Sequence, residues 1–153
     1  MTMVMVKRLI VFLLILVILW TGSLACASSR LERVLSVAVK QIGAPYEVVS
    51  HAPRSFNCFS FVAYCYNKVR SGTVSENGVG TSYQKIFSIK SIQPGDILGF
   101  RSSKALSGIL GYHFGIYLGK GYFIHAANQD DGVIVSRLKS YKKRFVGAIR
   151  IFT

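Results

Sequence analysis

The sequence predicts an α+β domain, with its helices first and an antiparallel meander after them. Three observations carry this. Residues 30–42 place Leu31, Val34, Leu35, Ala38 and Ile42 on one helical stripe. The run from Cys58 to Val69 is apolar and aromatic and stops at Ser71-Gly72, as a buried helix would. From Pro94-Gly95-Asp96 onward the texture changes to short apolar runs divided by turn residues. Helices followed by consecutive strands argue for segregated layers, and 153 residues suit one such domain.

The elements follow in order. Lys7 and Arg8 precede an apolar run from Leu9 to Trp20, and small residues surround Ala25-Cys26-Ala27. A basic patch, a short apolar stretch and a small-residue cleavage point read as a secretory signal over residues 1–27, cut after Ala27. Lipid attachment at Cys26 and an uncleaved membrane tether are the competing outcomes. All three export the domain of residues 28–153 to the envelope, periplasm or exterior. Ser28 or Ser29 caps the first helix, Glu32 sits in its first turn, and Gly43-Ala44-Pro45 ends it. Residues 46–56 read as a loop, and Asn57 as the N-cap of the second helix. Residues 72–95 are polar and poorly periodic, with a helical turn expected near Tyr83 to Phe87. About five strands are expected in all. Ile97 to Phe100 is the first, and a Ser-, Gly- and Lys-rich loop over 101–111 follows. Tyr112 to Leu118 and Tyr122 to Ala127 flank a Gly119-Lys120-Gly121 turn. Val133 to Ser136 and Phe145 to Ile151 are divided by a basic turn.

The net charge of +13, to which the first 27 residues contribute only two basic side chains, implies either an anionic partner or surface or a simply solvated basic face. For an exported chain that partner is an anionic envelope polymer and not nucleic acid. Of three cysteines, one lies in the leader. Cys58 and Cys65 are seven apart. On a shared helix that is about 10 Å along the axis, beyond the Cα separation of about 7 Å that a disulfide tolerates. Cys65 reads as a small buried hydrophobe.

Cys58 is the candidate nucleophile. In the first turn of a helix, unsatisfied N–H groups and the macrodipole favour a thiolate. His113 and His125 lie twelve apart about the glycine turn. A loop centred on Gly119 or Lys120 puts them opposite or one pair off. With shared parity and no bulge they project from one face, where one imidazole can orient the other as base and positioning group. A zinc reading of one Cys and two His lacks the close ligand pairs that mark such sites. His51 reads as a surface loop residue.

These residues resemble the NlpC/p60 cysteine peptidases. The likeness rests on Ala38 to Tyr46, Asn57 to Tyr66 around Cys58, Gln93-Pro94-Gly95-Asp96-Ile97, His113 to Ala126, and Phe145 to Arg150, and covers residues 31–151 in the family's order. It implies a reduced papain-like fold and hydrolysis of peptidoglycan stem peptides near D-glutamate and diaminopimelate. It implies Cys58 as nucleophile, His113 as general base, His125 as its positioning group, and Tyr46 beside the thiol. It implies no metal or organic cofactor; a monomer is expected. The family's usual Asp-Cys-Ser-Gly-Phe run is here Asn57-Cys58-Phe59-Ser60-Phe61, and its paired glycines align with Val49-Ser50. Asn57 and Phe59 therefore stand at substrate-recognition positions with altered chemistry. A thiol amidase or acyltransferase acting on another conjugate, and a non-catalytic wall-binding module, are the alternative readings.

Overall fold

Two amphipathic segments and a run of short strands assemble into the layers that their patterning predicts. The structure is a computed structural model that describes residues 30–75, 77–102 and 111–152. The expected leader, and the serines expected to cap the first helix, lie outside the described residues, as does most of the 101–111 loop. No helix among the described residues is long and apolar enough to cross a membrane.

Helix α1 covers residues 30–39 and unwinds through a turn to 43. Helix α2 is Cys58–Val69. Eight strands follow: β1 (Val74–Ser75), β2 (Gly78–Val79), β3 (Gln84–Ile86), β4 (Ile97–Arg101), β5 (Tyr112–Gly119), β6 (Tyr122–Ala126), β7 (Val133–Arg137) and β8 (Phe145–Arg150). β1 and β2 form a small ribbon beside α2. The other six make one antiparallel sheet in the order β3-β8-β4-β5-β6-β7, one strand more than expected. The added strand is β3, where a helical turn is expected from Tyr83 to Phe87. It pairs Gln84, Lys85 and Ile86 with β8 and buries only Ile86. A three-residue edge strand is too short to show a period of two in the sequence.

Alternation along the strands gives the sheet two apolar faces. On one, Ile97, Ile116, Ile124, Ala126 and Val133 pack against Val34 and Ala38 of α1 and Phe61, Val62, Cys65 and Tyr66 of α2. Phe114 and Leu118 join this face, as their parity with Ile116 predicts. On the other, Ile86, Leu98, Phe100, Phe123, Leu138 and Ala148 form a second cluster with Tyr117, Tyr141 and Phe145. Tyr141 belongs to the basic turn between β7 and β8, which folds as two 3-10 turns, Leu138–Ser140 and Lys142–Arg144. Cys65 is a buried thiol of the first face, pushed well above its ordinary pKa by burial, and no disulfide joins it to Cys58.

One ion pair closes the sheet. Asp96, fully buried, receives Arg150 Nε on Oδ1 and Arg150 Nη2 on Oδ2, both at 2.8 Å. The Gln93 N–H also donates to Asp96 Oδ2 at 2.7 Å. Arg150 Nη2 donates further to the Ser91 carbonyl at 3.0 Å. The turn before β4 is thereby tied to the end of β8.

Candidate active site

The start of α2 is fixed by its own cap. The Asn57 side-chain oxygen accepts from the Phe59 and Ser60 N–H groups at 3.1 and 2.8 Å. The Asn57 N–H donates to Ser60 Oγ at 2.9 Å, completing a reciprocal capping box. Asn57 Nδ2 donates to the Val48 carbonyl at 3.0 Å, so both ends of this amide hold the loop against the helix. Cys58 is the first residue of α2 and is fully buried. Tyr46, bridged in parallel to Phe56, lies beside it: burial, then the charge of the Cys58 sulfur, raises the Tyr46 phenol above its ordinary pKa.

α2 packs on β5 and β6. The ring of Phe59 meets that of Phe114 edge-on, centroids 6.4 Å apart. This contact seats the first turn of α2 against the first residues of β5; Cys58 and His113 precede the two rings in sequence, and the His113 ring lies on the sheet face of Phe123 and Tyr141.

The hairpin between β5 and β6 brings the two histidines together in a way that the sequence alone does not give. The turn residues are Lys120 and Gly121, both with positive φ (52° and 80°), between the paired Gly119 and Tyr122. Such a two-residue turn, continued without interruption, would pair residues of opposite parity and send His113 and His125 to opposite faces. The ladder instead shifts between Tyr117 and Gly119, so that Tyr117 pairs with Phe123 and Ile116 with Ile124. Leu118 is the extra residue of a bulge. The shift restores equal parity: a bulge-free hairpin is expected to align these imidazoles, and it is the bulge that does so.

Their contact is direct. His113 Nε2 and His125 Nδ1 are 2.6 Å apart, with the rings nearly perpendicular. His125 Nε2 lies 2.9 Å from Ser136 Oγ on β7. The His125 ring stacks on Phe123 (4.6 Å) and the His113 ring lies parallel to Tyr141 (6.4 Å). Burial, followed by the nearby Arg144 charge, holds His113 down at about 4. Burial, then His113 and Arg144, holds His125 down at about 3. Both rings are therefore neutral near pH 7, so one nitrogen of each carries a proton and the other a lone pair. That chemistry suits proton acceptance by an oriented imidazole.

Three residues of this cluster escape sequence reasoning: Ser136, Tyr141 and Arg144. Ser136 gives no local signal because its role depends on strand pairing. Tyr141 and Arg144 read as part of a solvated basic turn. His51 is exposed as expected, but has a partner: its Nδ1 is 3.3 Å from Glu47, whose carboxylate also accepts from Ser55 Oγ at 2.5 Å. Asn57 and Phe59 border a groove of about 510 Å³ on the outer side of α2, which runs past Ser50 and Tyr64 to Lys68.

Comparison with known proteins follows the same outline. The NlpC/P60 family profile matches residues 43–150. The "Probable peptidoglycan endopeptidase LytE" of Bacillus subtilis is 34% identical over 126 residues, covering 80% of this chain and 35% of that protein. The "Probable endopeptidase YafL" of Escherichia coli is 28% identical over 137 residues, covering 83% of this chain and 54% of its own length. The chain thus spans about a third to a half of the length of these curated relatives. Among solved structures, the NlpC/p60 domain of the peptidoglycan hydrolase SagA superimposes with a TM-score of 0.60 at 28% identity, over 79% of this chain and 98% of that one. A Staphylococcus aureus protein of the NLP/P60 family, described as similar to lipoprotein, gives 0.64 at 25% identity, over 82% of this chain and 42% of that one.

Proposed function

Because this chain belongs to the NlpC/P60 family, we propose that it is an exported cysteine peptidase that hydrolyses amide bonds in peptidoglycan stem peptides. Cys58 is the nucleophile, His113 the general base and His125 its positioning group. The observation that carries this reading is the chain of contacts from His113 to His125 to Ser136, which begins on β5, the strand against which α2 packs.

The chemistry follows from that chain. With His125 Nε2–H donating to Ser136 Oγ, its Nδ1 is a lone pair that accepts from His113 Nε2–H. His113 is then left with a lone pair on Nδ1, the form that removes a proton from the Cys58 thiol. The sulfur attacks the amide carbonyl as the proton passes to Nδ1, and a tetrahedral oxyanion forms. The N–H of Cys58, at the helix start, is the donor assigned to this oxyanion. His113 returns the proton to the leaving amine, the C–N bond breaks, and a thioester remains. Water, deprotonated by the same imidazole, releases the acid and regenerates the thiol. Tyr46 lines the thiol as a protonated phenol. Asn57 and Phe59 shape the substrate side of the helix start. The basic surface favours the anionic wall, and a leader over residues 1–27 delivers the domain there.

Mass spectrometry of peptidoglycan digested by the wild type and by Cys58→Ala tests this. Defined stem-peptide products are expected from the wild type alone. Identical products from both would remove Cys58 from the chemistry.

One observation favours a second reading. The groove beside Phe59 is mostly apolar, which suits an acyl chain, and Phe59 stands where the family places a serine. The same thiol chemistry would then act on an acyl amide or ester. A screen of muropeptides against acyl amides and esters separates the two.

A further inference from the structure

We propose that Arg144 is the residue with which this site reads a carboxylate of its substrate, because its guanidinium lies over the Tyr141 ring at 4.4 Å and that ring stands beside both imidazoles. This inference rests on the peptidase reading above and deepens it by naming a specificity residue.

The basic turn holds three consecutive cations, and they are not equivalent. Lys142 and Lys143 are exposed, whereas Arg144 is half-buried. The contact with Tyr141 is made by the cation over the ring and uses no hydrogen bond, and the N–H donors of a guanidinium suit a planar, bidentate acceptor. Among the described residues Glu47 pairs with His51 and Asp96 with Arg150, and neither carboxylate reaches Arg144. The charge is close enough to be felt by His113 and His125 alike. A substrate anion seated there would lie on the ring that stands beside both imidazoles. Stem peptides offer two such anions, the α-carboxylate of γ-linked D-glutamate and a carboxylate of diaminopimelate. A site that reads one of them distinguishes a free acid from its carboxamide.

Binding of the tripeptide L-alanyl-γ-D-glutamyl-diaminopimelate to the full chain carrying Cys58→Ser, followed by calorimetry, tests the assignment without turnover. The tripeptide is supplied with both acids free, with the glutamate α-carboxylate amidated, and with the diaminopimelate carboxylate amidated. One amidation is expected to weaken binding by roughly tenfold or more, as for the loss of a charged hydrogen bond. It thereby identifies which acid is read. Arg144→Gln in the same background is expected to bind the free acid as weakly as the amide, and Arg144→Lys to recover part of the difference. An Arg144→Gln protein that still discriminates, or that loses both forms equally, overturns the proposal. So does a protein that binds none of the three peptides. Digestion of muropeptides by the otherwise unaltered enzyme reports separately. Cleavage with unchanged selectivity in Arg144→Gln sinks this inference alone. Absence of cleavage by the wild type sinks the peptidase reading.

Discussion

His113 and His125 meet at 2.6 Å across a hairpin whose tight turn, by itself, would have sent them to opposite faces. The bulge at Leu118 reconciles the two, and Gly115 supplies the clearance. Gly115 lies opposite His125, and a Cβ built there would stand 3.1 Å from the His125 Cβ, 2.7 Å from Phe123 Cδ2 and 2.9 Å from the Ile124 carbonyl oxygen. Gly115→Ala is therefore expected to displace the positioning imidazole. Shifts of this size reduce kcat/KM by about a hundredfold. Gly99→Ala is the control, since its nearest neighbour would be Val146 Cγ2 at 3.4 Å. Steady-state kinetics showing equal activity for the two variants would remove Gly115 from the site.

Stability should fall on the acid side of neutrality. His113 is held near 4 and His125 near 3, against 6.5 for the unperturbed ring. Between these values and 6.5 the unfolded chain binds protons that the folded chain refuses. The stabilisation is thus fully present above pH 6.5 and is lost as pH drops toward 4. Thermal unfolding across pH 7.5 to 4.5 is expected to show a flat midpoint, then a decline. Urea titrations should give an uptake of about one to two protons on unfolding near pH 5. A midpoint that holds steady from 6.5 to 5 contradicts this electrostatic description.

Arg150→Ala should be far more damaging than an exposed charge deletion. It leaves Asp96, with no exposed surface, without its bidentate partner. Removing one member of such a buried pair destabilises by about 3–5 kcal/mol. Asp96→Asn with Arg150→Met, which removes both charges, is expected to lose less than the sum of the two single changes. Chemical denaturation of the four proteins measures the coupling. Strict additivity would show that the two side chains do not act as a pair.

Asn57→Ala removes the acceptor for two helix-start N–H groups and half of the capping box. The expected loss is about 1 kcal/mol. Asn57→Asp keeps the acceptor and should preserve stability, while its negative charge beside Cys58 should raise the pKa at which iodoacetamide labels that thiol. Denaturation and labelling profiles read the two effects separately. Equal stability of the wild type and Asn57→Ala would contradict the capping role.

The sequence made much of this legible. The helical stripe of Leu31, Val34, Leu35 and Ala38 and the alternation of Phe114, Ile116 and Leu118 are local patterns that turn toward the core, and the cap at Asn57 is local too; Ile42, expected on the same stripe, falls beyond the end of α1 and is exposed. The partnership of His113 with His125 was also readable, because a hairpin is the shortest long-range structure. The turn centre was not: placing it on Gly119 or Lys120 instead of between Lys120 and Gly121 hides the bulge, since half a residue of register decides parity. Ser136, Tyr141 and Arg144 were invisible for a different reason. Each reaches the histidines through the pairing of β6 with β7 and the folding of a basic turn over the sheet, and no periodicity in a single chain encodes those approaches. β3 was missed because an edge segment with one buried side chain leaves no pattern.

The strand order has a bearing on how the nascent molecule matures. β8, the last in sequence of the strands described, fills the slot between β3 and β4. A polypeptide still lacking residues 145–150 has two open ladders where its sheet should be continuous, and Asp96 has no counterion. Such gaps close late and slowly, because they join segments distant along the backbone. The sheet is therefore sealed by its most sequence-distant pairings, those of β8 with β3 and with β4.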